Sequence, residues 1–177
     1  HPEMDIGIHL TLANEWERKK WGPVLGDKVP SLTDRNGFFF QTRKELEKNA
    51  RLDEVERELR AQIETALSQG LRPTHLDSHM FCCLLNPDFL KIYLNLGYEY
   101  GLKVLINSEN IKKWFGYNAN PFLRENDIMV EKLIIARYRH FKKGLPFYYR
   151  HVLQTLKAGL NCLLVHPAFD DHEMKEI

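Results

Sequence analysis

The chain predicts an α/β fold built from βα units, with a parallel sheet covered by helices. Two patterns carry this prediction. Short apolar runs of strand length alternate with longer segments whose apolar residues recur every three or four positions. Those runs are continuously apolar, as expected where helices cover both faces of a parallel sheet. A third observation concerns chemistry. His9 lies within the first strand candidate, while His79 and His166 lie just past two others. In such folds the carboxyl ends of the strands hold the active site.

The first strand candidate is Asp5 to Leu12, where Ile6, Ile8, Leu10 and Leu12 share one face and Gly7, His9 and Thr11 the other. Residues 13 to 42 lack a helical period and carry Gly22, Pro23, Gly26, Pro30 and Gly37, so they read as a long irregular insertion. Trp16, Trp21 and the run Phe38-Phe39-Phe40 argue that it is ordered. Those tryptophans read either as a sugar-stacking platform or as pins that fix the loop to the core, and pinning is the preferred reading. From Leu52 to Gln69 the stripe Leu52, Val55, Leu59, Ile63, Ala66, Leu67 predicts an amphipathic helix, ended by Gly70.

Leu71-Arg72-Pro73 leads into a strand through Leu76 that ends near Ser78. Pro87 starts a second helix, stopped at Gly97 or Gly101. Leu102 to Ile106 is a short buried strand. Residues 107 to 126 read as polar and turn-rich. The spacing of Val130, Leu133, Ile134, Tyr138 and Phe141 predicts a helix from Ile128 to about Lys142, and another is expected from Pro146 to Ala158. Asn161 to Val165 is a strand that delivers His166.

Composition excludes several function classes. Lys+Arg of 25 against Asp+Glu of 24 gives a net charge of +1, which calls for neither nucleic acid nor an anionic membrane as partner. No apolar run approaches the ~20 residues of a membrane span, and no signal peptide is evident. The three cysteines, Cys82, Cys83 and Cys162, form no CxxC and make a poor disulfide framework. They read as free thiols in a reducing, cytoplasmic compartment.

The segment Pro73-Thr74-His75-Leu76-Asp77-Ser78-His79 places His75, Asp77 and His79 on one strand face. Imidazole and carboxylate are ligands for zinc and related divalent ions. The same alternation also suits a strand end whose polar groups are merely hydrogen-bonded. Convergence of three strands on histidines favours a metal or acid–base site without naming a reaction.

The motifs D-I-G-I-H-L-T-L, T-H-L-D-S-H and V-H-P-A-F-D-D, in that order, resemble those of the YdjC-like carbohydrate deacetylases. The resemblance implies an irregular (β/α) barrel and a metal-dependent hydrolase that removes N-acetyl groups from amino sugars or short oligosaccharides. It implies His9 and His79 as ligands of a divalent ion, zinc or magnesium foremost. His75 is not expected to be a ligand. Asp77 would orient a neighbouring group, and His166 would act as acid or oxyanion stabiliser.

Two departures from the family pattern stand out. The family carries an Asp-Asp strand upstream of G-I-H-L-T-L, supplying a further metal ligand and the base. The sequence begins after that point, so 1–177 is expected to be a single catalytic-type domain cut at the N-terminus and at the C-terminus. The expected barrel is then incomplete, with exposed strand edges that invite homodimer formation, weak metal affinity and no turnover by 1–177 alone. Second, Met80-Phe81-Cys82-Cys83 follows D-S-H where many members have further histidines, so the substrate environment differs. Rival readings are a phosphoesterase or amidohydrolase, which a two-metal site would favour, and a non-catalytic sugar-binding module.

Overall fold

The computed structural model describes residues 4–125, 127–136, 142, 144–167 and 172. Its strands are β1 (Gly7–Leu10), β2 (His75–Ser78), β3 (Lys103–Ile106), β4 (Ile128–Met129), β5 (Lys132–Ile135) and β6 (Asn161–Leu164). Its α-helices are α1 (Arg43–Asn49), α2 (Leu52–Ser68), α3 (Pro87–Glu99), α4 (Ser108–Phe115) and α5 (Leu145–Gln154). Strands β1 to β4 form one parallel sheet in sequence order, and β5 pairs in parallel with β6.

The two sheets meet at Val130-Glu131. There the Val130 amide still donates to Ile106 O at 2.8 Å, while the Glu131 amide donates to Leu160 O at 2.9 Å. The chain thus leaves β3 and joins β6 within two residues. Strands laid down side by side in chain order, without reversal, wind as a βα barrel does and not as a doubly wound sheet. Among the described residues the array is open, as expected for an incomplete barrel. No helix of the described residues is long and apolar enough to cross a membrane.

Helix α2 forms where the apolar stripe predicts it. Val55, Leu59 and Ile63 are fully buried, and Gly70 takes φ 80° just beyond its end. Helix α3 starts at Pro87, with the Asn86 side chain accepting from the amides of Asp88 and Phe89. Its buried Tyr93 donates to Leu76 O at 2.9 Å and so ties the helix to the centre of β2. Cys82 and Cys83 are buried free thiols.

Two expected segments differ. Residues 107–126 are not merely turns, because Ser108–Phe115 is helical. The Asn107 side chain caps it by accepting from Asn110 N at 2.7 Å, and Gly116 closes it at φ 78°. The helix expected from 128 to 142 is instead β4 and β5 as far as Ile135, and 137–141 and 143 lie outside the described residues. Four of the eight residues from Ile128 to Ile135 are Ile or Val, which suit the pleated surface. Helix α5 ends at Gln154, short of Ala158.

The 13–42 segment is a closed loop built around Asn14, which is fully buried. Its Nδ2 donates to Phe39 O at 2.6 Å, its Oδ1 accepts from Trp21 N at 2.8 Å, and its amide donates to Phe40 O at 2.9 Å. Phe39 is buried and Trp21 packs against the core, so these two rings do pin the loop. Two buried carboxylates of α2 hold it from below. Glu58 accepts from the amides of Val24 and Leu25, and Glu54 from the amide and hydroxyl of Ser31.

Candidate active site

The parallel register sets Gly7 beside His75 and His9 beside Asp77. These residues share the face opposite Leu10 and Leu76, both of which point into the core. The consequences differ along the pair of strands. At Gly7 the His75 imidazole lies so close that a Cβ there would overlap the ring at Nε2. His75 also contacts Thr74 Oγ1 through Nδ1, at 3.0 Å. It is thus engaged in local packing, and it also borders the cavity described below.

One step further, His9 Nδ1 and Asp77 Oδ2 are 2.9 Å apart. The carboxylate fixes the imidazole tautomer with the proton on Nδ1 and leaves Nε2 as the ring's lone-pair donor. This hydrogen bond raises the His9 pKa above its ordinary value, against an opposing effect of partial burial. The His79 ring meets His9 edge to face, 5.3 Å between centroids, and Trp21 meets His79 likewise at 5.5 Å. His79 Nε2 is fully buried and has no hydrogen-bond partner among the described residues. Burial, followed by the nearby His9, lowers the His79 pKa, and His166 adds to the same effect.

His9, Asp77 and His79 line a cavity of about 370 Å³, together with Glu15 and His166. His166 is exposed and reaches the cavity just after β6, as the strand-end argument expects. Each of the four expected residues, His9, Asp77, His79 and His166, thus borders one space. Glu15 was not singled out from the sequence. It lies at the start of the loop after β1, and its charge acts on both His9 and His79. The signal available was its place six residues after His9, in a loop that follows a strand end.

The donor set fits a divalent ion in part. The His9 imidazole, oriented through Nδ1 by Asp77, and the His79 imidazole, with its buried, unpartnered Nε2, are nitrogen donors of the kind that zinc or a similar cation takes. Among the described residues no group of three His, Cys, Asp or Glu side chains converges closely enough to hold an ion by itself. The chain therefore contributes a pair of nitrogen donors and a carboxylate that orients one of them.

A short strained turn follows β2. Met80 and Phe81 both adopt left-handed backbone, φ 49° and 57°. Left-handed residues other than glycine cost about 1–2 kcal/mol each and concentrate at functional sites. The Ser78 hydroxyl steadies the exit of this turn by accepting from Cys83 N at 3.0 Å. Arg43 reaches in from α1, its Nη1 3.4 Å from Met80 O.

Comparison with known proteins places the chain in a family. The family model described as YdjC-like protein matches residues 1–177. A carbohydrate deacetylase from Thermus thermophilus is 40% identical over 177 aligned positions, covering 96% of this chain and 63% of the relative. Carbohydrate deacetylase 1 from Listeria innocua is 30% identical and covers 100% of this chain and 65% of its own length. The chain thus spans less than two thirds of the length of these curated relatives. A crystal structure from Enterococcus faecalis V583, described as that of a candidate cellobiose-phosphate cleavage protein, superposes with a TM-score of 0.73 at 26% identity. That match covers 98% of this chain and 64% of the other. By the match along its whole length and by its relatives, the chain belongs to the YdjC-like family.

Proposed function

We propose that the protein is a metal-dependent carbohydrate N-deacetylase acting on an N-acetylated amino sugar or short oligosaccharide. The observation that carries this reading is the pairing of His9, held by Asp77, with His79 and its unpartnered Nε2 at one cavity. The naming of its relatives as carbohydrate deacetylases supports the choice of reaction.

In this reading His9 and His79 hold a divalent ion, zinc or magnesium foremost. When bound, such an ion lowers the pKa of a water molecule and polarises the amide carbonyl. Asp77 keeps the His9 ring oriented through Nδ1 and is a positioning residue. The depressed pKa of His79 keeps its nitrogen unprotonated and available at neutral pH. His166 borders the cavity from β6, where a protonated imidazole would give its proton to the departing amine or stabilise the oxyanion. The buried free thiols Cys82 and Cys83 support a cytoplasmic setting.

The chemistry named for the Enterococcus protein suggests a phosphorylated disaccharide as rival substrate. The described lining argues against it. It includes Glu15 and Asp77 but no Lys or Arg, whereas phosphate sites characteristically draw on such cations. A neutral sugar suits the cavity better.

The test is acetate release from N-acetylglucosamine and its β-1,4-linked dimer by the full-length protein, with and without added zinc or magnesium. His79→Ala is expected to abolish metal-dependent release and to lower the metal content while circular dichroism stays unchanged. Undiminished metal-dependent release in that variant would remove His79 from the site. Cleavage of a phosphorylated disaccharide into a sugar and a sugar phosphate, without acetate release, would favour the rival.

A further inference from the structure

The cavity lining is mixed: beside His9, Asp77, His79 and Glu15 it carries the amides of Asn107 and Asn110 and a set of aromatic and aliphatic side chains. Helix α4 brings Trp114 to this lining, where it is only half-buried. Its ring lies 4.9 Å from that of Phe81, tilted by 48°. Phe115 supports Trp114 edge to face at 6.5 Å, and the Arg43 guanidinium sits over Phe115 at 5.4 Å.

The position of Phe81 is not accidental packing. It depends on two consecutive left-handed residues, and the same Arg43 that covers Phe115 also contacts the carbonyl of Met80. One arginine thus braces both halves of the aromatic pair. Phe81 packs against the core on one side and, being only partly buried, also lines the cavity, so the strained turn places its ring where a ligand can touch it.

A pyranose ring is complementary to such a wall. One face carries C–H groups polarised by the ring oxygens, and these meet the electron-rich face of an indole or phenyl ring. The cavity volume of about 370 Å³ falls in the range of small-molecule sites, roughly 300–1,000 Å³. The acetamido group would occupy only the histidine part of it.

We infer that Trp114 and Phe81 form a stacking platform for the neutral sugar ring adjoining the N-acetylated residue, making Trp114 a specificity-determining residue for oligosaccharides over monosaccharides. The proposal rests on the deacetylase reading for what sits beside His79, but the stacking contact does not depend on turnover. Neither half of the platform was singled out for this role by the sequence motifs.

The experiment uses the full-length protein, with N-acetylglucosamine and its β-1,4-linked dimer as probes. Binding is measured by calorimetry and acetate release by steady-state kinetics, in wild type and in Trp114→Ala, Trp114→Leu and Trp114→Phe. Trp114→Ala and Trp114→Leu are expected to raise Kd and KM for the dimer by about three- to tenfold. The monosaccharide should change by less than twofold, and Trp114→Phe should retain most of the dimer affinity. Leucine keeps an apolar side chain, though a smaller one, and lacks the aromatic face, so it serves if the alanine variant does not fold.

Equal weakening of both probes, unchanged dimer binding in Trp114→Leu, or no dimer binding by wild type would overturn the platform. Trp114-dependent dimer binding without acetate release would sustain the platform and sink the deacetylase reading. Acetate release indifferent to Trp114 would do the reverse.

Discussion

Glu58→Gln is expected to loosen the loop that carries Trp21 against His79. Glu58 is fully buried, and both of its oxygens are engaged. Oε1 accepts from Val24 N at 2.9 Å and Gln62 Nε2 at 2.8 Å, and Oε2 accepts from Leu25 N at 3.1 Å. An amide keeps one acceptor oxygen and turns the other into a donor facing a donor. One charge-assisted hydrogen bond is lost, worth about 1.5–3 kcal/mol, and a buried N–H is left unpaired. The two effects overlap, so the net loss is about 2–3 kcal/mol.

For a chain of this size that corresponds to a fall in Tm of about 5–10 °C. Glu54→Gln provides the internal comparison. Glu54 is also buried, but both Ser31 contacts fall on a single oxygen, at 2.8 and 2.7 Å. Its other oxygen is only 3.8 Å from Arg51 Nε. Glutamine reproduces the pair of bonds on Ser31, so the loss there should be below about 1 kcal/mol. Urea unfolding followed by circular dichroism and tryptophan fluorescence measures both. Equal losses in the two variants, or a Glu58→Gln loss under about 0.5 kcal/mol, would refute the account of the clamp.

Asp77→Asn removes the first cause of the raised His9 pKa, so that pKa should fall while His79 keeps a lowered one; histidine NMR titration reads both. The raised His9 pKa contributes stability that is present below about pH 6.5 and is lost as pH rises through the folded value. The lowered His79 pKa acts oppositely, its contribution being present above about pH 6.5 and lost as pH falls through the folded value. A His9 titration midpoint unchanged in Asp77→Asn would remove the carboxylate from its orienting role. Gly97→Ala should destabilise by about 1 kcal/mol in urea unfolding, although alanine is the better helix former. Its Cβ would stand 2.5 Å from Val104 Cγ2 and 3.0 Å from the Leu102 carbonyl oxygen, a stiff side chain and a backbone atom. A stabilised variant would show that α3 has room to move off β3.

What could be read in the chain follows from the range of the interactions concerned. Val55, Leu59 and Ile63 repeat at helical spacing over several turns, so α2 is visible locally. Likewise, alternation puts His9 and Asp77 on the faces that the register later sets side by side. Helix α4 has only eight residues, and just Ile111 is buried in it, so no stripe marks it. The signs present were its ends, Asn107 as cap and Gly116 beyond the last turn.

The segment after Ile128 misleads for a different reason. Val130 and Ile134 are buried four residues apart, which mimics a helix, because the strand changes partner between them. Its β-branched residues carry the opposite signal. The approach of Trp21 to His79, and the arrival of Glu15 and Trp114 at the same cavity, depend on tertiary packing, which neither spacing nor propensity encodes.

The turn at Met80–Phe81 narrows the substitutions open to anyone reshaping the substrate range. Two successive left-handed residues disfavour Val, Ile and Thr, and favour Gly, Asn, Asp and His. A random library at 80–81 would lose many of its members to misfolding before any change in preference could be seen. A library confined to the permitted set, varied jointly with Arg43 on the neighbouring helix, would sample new pocket walls on an intact backbone. The most adaptable part of the cavity is thus also the part with the smallest usable alphabet.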